Sequence, residues 1–152
     1  MLISSVERLL GILLAAGGPQ AFPPRMVWPM HQALKELGDE AGRRGLESAL
    51  PDLRFTPSPD VGWKAEGADK GLIALRREQV LRVVGLGRDS ELRVDPSHLV
   101  PYRRDLMRLE PAVTQLLQRT GRSWAALAET SAKICSTPPR SSAATLRRAT
   151  PN

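Results

Sequence analysis

Gly67-Ala-Asp-Lys-Gly-Leu-Ile-Ala-Leu-Arg-Arg-Glu78, running without a break into Gln79-Val-Leu-Arg-Val-Val-Gly-Leu-Gly-Arg-Asp-Ser-Glu-Leu-Arg-Val-Asp95, decides the fold. The first half reads as a short helix with Ala68, Leu72 and Leu75 on one face and Lys70, Ile73, Ala74 and Arg77 on the other. The second half reads as a hairpin. Val80, Leu81, Val83, Val84 and Leu86 form a β-branched-rich run, Gly85 and Gly87 with Arg88-Asp89-Ser90 supply a turn with positive φ, and Leu92 and Val94 alternate with Glu91 and Arg93. A helix that runs straight into a hairpin is how a winged helix presents its third helix and its wing. Leu72, Leu75, Leu81 and Val83 are expected to be buried where the two meet.

Upstream, Ser4 and Ser5 offer an N-cap and Gly17-Gly18-Pro19 a stop, so residues 5–16 are expected to be a helix. Leu2, Val6, Leu9, Leu10, Leu13 and Leu14 can share its buried face. Pro19, Pro23, Pro24 and Pro29 make 19–29 a structured loop, and a second helix follows from Met30 to Gly45. Residues 51–63 are extended at best, because Pro57 and Pro59 do not suit a central strand. Leu53 and Phe55 fit an edge strand, taken as the first strand of the winged helix.

Downstream, Asp95-Pro96-Ser97 caps a helical stretch interrupted at Pro101. Glu110-Pro111 opens a helix to Arg119 that Gly121 is expected to close, and Ser123 caps another from Trp124 to about Ile134. Leu106, Leu109, Val113, Leu116, Leu117, Leu127 and Ile134 have the spacing of helices packed onto the core. From Ser136 the chain turns to Ser, Thr, Pro and Arg with Leu146 as its one large apolar residue. The expected organisation is one α+β, mainly helical domain over 1–135 and a disordered basic tail over 136–152.

The pI near 10.4 invites a nucleic-acid partner. Only four of the 22 basic residues are lysines, a tilt that coding bias produces without any phosphate to bind, and half of the formal +6 sits at Arg140, Arg147 and Arg148. Between Lys64 and Arg93 seven bases meet five acids, which a solvated surface explains as well as a DNA footprint. The few aromatic residues also argue against a single-strand binding platform. Cys135 is alone, so the chain has no internal disulfide or cysteine-cluster zinc site, and a reducing cytoplasm is expected. The apolar run Leu9 to Ala16 falls short of a membrane span, and Glu7 beside Arg8 does not suit a signal peptide.

No catalytic constellation emerges, and neither metal nor cofactor is expected. Asp95, His98 and Tyr102 could converge across a helical turn as acid and base, but a capping and surface role is the better account of the spacing. His31, in the first turn of a helix, reads as structural.

The order of elements, with Phe55-Thr-Pro-Ser-Pro59 leading into a helix that ends Leu75-Arg-Arg-Glu-Gln-Val-Leu81, resembles over residues 5–95 the small winged-helix modules of Panacea-type antitoxins and related defence-system accessory proteins. The resemblance implies a non-enzymatic protein-interaction module in a bacterial defence or toxin-antitoxin type system. Its partner would be a protein encoded nearby, with no small-molecule ligand. Ile73 and Leu86, outward on the helix and at the wing tip, are the candidate partner contacts. The alternative is a DNA-binding winged-helix regulator in which Lys70, Arg77, Arg82 and Arg88 contact phosphates.

Overall fold

The computed structural model describes residues 2–136, with side chains through Ser131. The chain is mixed α+β and mainly helical, as its sequence pattern implies. The expected disordered tail falls outside the described residues from position 137 on.

Helix α1, Val6–Ala15, is capped by Ser5, whose hydroxyl accepts from the Arg8 N–H at 3.2 Å. Leu9, Leu10, Ile12 and Leu13 are all fully buried, so apolar side chains cover most of the circumference of this helix. It is the central element, packed against helices α3 (Ala68–Arg77), α4 (Val100–Met107) and α5 (Pro111–Ser136). Each buried leucine contributes roughly 1.5–3 kcal/mol. Leu2, expected on this face, is exposed, and Ile3 is buried in its place because the Ile3 N–H is tied to the Ala49 carbonyl at 3.0 Å.

The proline-rich stretch expected to be a loop contains strand β1, Ala21–Phe22. β1 pairs antiparallel with β5 (Glu91–Val94), which pairs with β4 (Leu81–Val84), giving the order β1-β5-β4. Two residues are too few for any periodicity to show in the sequence. Phe22 is nonetheless buried and tilts against Trp124 of α5, ring centroids 5.7 Å apart.

Helix α2, Trp28–Arg44, starts with Pro29 in its first turn and ends at Gly45 in the left-handed conformation. Strands β2, Phe55–Ser58, and β3, Gly62–Ala65, form a separate ribbon between α2 and α3. Leu53 and Phe55 therefore do not supply the first strand of the main sheet, which is β1. Pro57 is accommodated opposite Trp63 because a two-stranded ribbon has free edges on both sides.

The two helices expected around Gly121 are one 26-residue helix, α5. Gly121 is buried in its middle, where an added Cβ would lie 2.8 Å from the Leu13 carbonyl oxygen and 3.0 Å from that of Ala16. The glycine is a point of close approach to the end of α1, and no stop. Ser123 caps nothing; its hydroxyl donates to Glu36 on α2 at 3.1 Å. Leu106, Leu109, Val113, Leu116 and Leu117 are buried as expected and Leu127 half-buried, while the Ile134 side chain lies outside those described.

Candidate functional site: the outer face of the third helix and the hairpin

α3 begins at Gly67 with φ of 83° and closes with two capping bonds, Val80 N–H to Leu75 C=O at 3.0 Å and Gln79 N–H to Arg76 C=O at 3.0 Å. Gln79 takes the left-handed position usually given to glycine, φ 64°. That sharp exit drops the chain directly into β4. Ala68, Leu72 and Leu75 face the core, and Lys70, Ile73 and Arg77 face out, as the spacing predicts.

Leu81, Val83, Leu92, Val94 and Phe22 lie on one side of the sheet by register. Leu81 and Leu92 are buried, but Val83, expected in the core, is 47% exposed. At Val83 alone this apolar side comes out from under cover, since Phe22, Leu81 and Leu92 are buried and Val94 half-buried. Between that side and α3 lies an open cleft of about 730 Å³ lined by Ile73, Arg76, Arg77, Gln79, Leu81, Arg82 and Val83. Ile73 is 49% exposed, and Leu86 at the tip is 89% exposed. Ile73 and Val83 thus share the cleft, whereas Leu86 stands beyond it. Gly85 and Gly87 at the turn have φ of 90° and 58°.

The charges are arranged differently from their order along the chain. Asp69 faces His31 Nε2 at 3.3 Å and Lys64 at 3.3 Å, and Glu78 accepts a 2.8 Å bond from the Tyr102 hydroxyl. The two acids that bracket α3 thus have partners while staying exposed to solvent. Lys70, Arg76, Arg77 and Arg88 have no ion-pair partner among the described residues. Arg82 donates to Gln79 at 3.2 Å and lies 3.5 Å from Asp95. Arg76, Gln79, Leu81 and Val83 also line the cleft and are not among the residues expected there. Arg76 stands three residues after Ile73, a helical spacing that could have found it.

Asp95, His98 and Tyr102 do not converge. Asp95 meets His98 at 3.1 Å, but its carboxylate is taken up by the Ser97 hydroxyl at 2.7 Å and the Ser97 N–H at 3.0 Å, which hold its pKa below the ordinary value. The Tyr102 ring is buried against Gly11 and its hydroxyl points to Glu78. Burial, then the Glu78 carboxylate, push the phenol pKa upward, and a hydrogen bond to Glu78 raises that of Glu7. This cluster joins α1, the end of α3 and α4, with Arg8 paired to buried Asp105 beside it.

His31 is more than a surface histidine. Its ring is 1% exposed, Nδ1 accepts the Ala65 N–H at 3.0 Å, and the proton is thereby assigned to Nε2, facing Asp69. One side chain of α2 thus ties β3 to the first turn of α3, setting the height at which α3 sits.

Among the described residues no group of three or more His, Cys, Asp or Glu is placed to hold a metal ion, and no helix is long and apolar enough to cross a membrane. Comparison with protein-family models, with characterised proteins and with solved structures returned no match.

Proposed function

We propose that this chain is a non-enzymatic protein-interaction module of winged-helix type, an accessory or antitoxin-like component of a bacterial defence or toxin-antitoxin type system. It docks a protein partner, encoded nearby, on the outer face of α3 and the hairpin. The observation that carries this reading is the exposed apolar set: Ile73 and Val83 line one open cleft, with Leu86 at the tip beyond them. Large side chains gathered at that exposure suit a partner's core better than a phosphate chain. The strand order β1-β5-β4, with α3 leading into the β4-β5 hairpin, supports the winged-helix part of the proposal. The cytoplasm is the compartment that goes with it.

A second reading, duplex DNA, has its own support in a surface on which Lys70, Arg76, Arg77 and Arg88 have no ion-pair partner among the described residues. The two are separated by salt. Contacts from Lys70, Arg77, Arg82 and Arg88 to four phosphates would give log K against log salt a slope of about −3.6, at about 0.9 per contact. We expect only weak, sequence-indifferent duplex binding that vanishes at physiological salt, together with a stable complex when the chain is co-expressed with the products of adjacent genes. Nanomolar, sequence-selective duplex binding that survives physiological salt and is lost when those four residues are neutralised would establish the regulator instead.

A further inference from the structure

β4 is an edge strand, bonded to β5 on one side only. The Asp95 N–H donates to the Val80 carbonyl at 2.9 Å, and bonding alternates along an antiparallel pair. Arg82 and Val84 therefore bond to Arg93 and Glu91, while Leu81 and Val83 turn their N–H and C=O groups off the free edge. Leu81 is closed over, but Val83 is exposed, and Gly85, where φ of 90° takes the chain out of β4, continues the edge with its N–H alone. Proteins close such edges with a short strand, charges, a proline, a bulge or a covering element; β4 is short and carries Arg82, but no proline interrupts it and nothing covers Val83. The edge instead borders the cleft that holds Ile73, Arg76, Arg77 and Arg82, and no carboxylate lines that cleft. The guanidinium groups of Arg76 and Arg77 have no ion-pair partner among the described residues.

We propose that this edge takes an extended, acidic segment of a protein partner as a short fourth strand, laid along Val83 and the Gly85 N–H beside Ile73. The inference rests on the reading of this face as a protein-docking surface. Main-chain bonds to the open edge supply register, and carboxylates along the added strand meet the arginine forks, a pairing whose geometry favours two parallel bonds. A nucleic-acid duplex has no peptide edge with which to complete the sheet.

The test uses the full chain and a capped, fluorescent heptapeptide, Asp-Val-Glu-Val-Asp-Val-Glu, titrated at physiological salt. Saturable binding is expected, with amide exchange at Val83 and Gly85 slowed by about tenfold or more, as for donors that gain a bond. N-methylation of alternate peptide nitrogens should weaken binding by about tenfold in one frame and leave it nearly unchanged in the other, since only alternate N–H groups face the sheet. Arg76→Glu with Arg77→Glu should also cost about tenfold. Absence of saturable binding, tolerance of N-methylation in both frames, or equal binding of a Lys-Val-Lys-Val-Lys-Val-Lys peptide would each overturn strand addition. Were it overturned while Ile73→Asp with Leu86→Asp still released a natural partner, docking through side chains would stand; displacement of the peptide by a tighter-binding DNA duplex would remove both.

Discussion

His31 shows how much of the site depends on one side chain that never reaches the surface. With Nδ1 accepting the Ala65 N–H, a protonated ring would have to give up that bond, and burial, the dominant cause, lowers its pKa despite the opposing pull of Asp69. A histidine held below its ordinary value of 6.5 contributes stability that is present above that value and is lost as pH falls through the lowered native one. Urea midpoints should therefore fall as pH drops below about 6.5, and fall less in a His31→Asn variant, which can still accept from Ala65. His31→Ala should cost about 1–3 kcal/mol at pH 7.5 by leaving the Ala65 N–H unpaired. Gln79 is the converse case. It occupies a left-handed position, φ 64°, that costs a side-chain residue roughly 1 kcal/mol, so Gln79→Gly should raise the melting temperature by a few degrees. Loss of the Arg82 bond to its side chain is an exposed contact and too small to reverse the sign.

At the scale of elements, Gly121 sets two effects against each other. An alanine there gains about 1 kcal/mol of helix propensity, but its Cβ meets backbone oxygens of α1 at 2.8 and 3.0 Å, and overpacking costs about 1–3 kcal/mol. Backbone cannot swing aside as a side chain can, so Gly121→Ala should be destabilising, measurable as a lower urea midpoint; an unchanged or higher midpoint would put α5 at a different distance from α1. Leu75, fully buried under α3, should cost about 2–5 kcal/mol on truncation to alanine. The same elements show what the sequence conveys. α1, α2, α3 and the β4-β5 hairpin are legible because their periodicity runs over many residues or ends in glycine turns. β1 is two residues long, the β2-β3 ribbon hides behind its prolines, and Gly121 reads as a stop because helix propensity is local whereas its reason for being glycine lies on another helix. Of the site, Ile73, Leu86, Lys70, Arg77, Arg82 and Arg88 were legible as exposed, but Val83 was not, since alternation reveals which side of a strand is apolar and leaves unsaid where the covering helix ends.

For the whole molecule, net charge is a poor guide to partner. Asp69, which meets His31 and Lys64, and Glu78, which accepts from Tyr102, keep their charges but do not line the cleft, whose walls hold Arg76, Arg77 and Arg82, so the cleft is more cationic than a count over the sequence suggests. Cations beside exposed valine, isoleucine and leucine are what the proposed docking of an acidic, apolar protein segment requires. The measurement that bears on this most directly is retention of a co-expressed, co-purified partner by the double variant Ile73→Asp with Leu86→Asp. Met107→Asp is the control, because Met107 is 82% exposed on α4, away from the cleft-lining residues. We predict that the double variant keeps the wild-type melting temperature within about 2 °C, as surface changes do, and loses the partner, while the control retains it. Retention of the partner by the double variant, with loss in the control or in neither, would contradict docking on α3 and the hairpin.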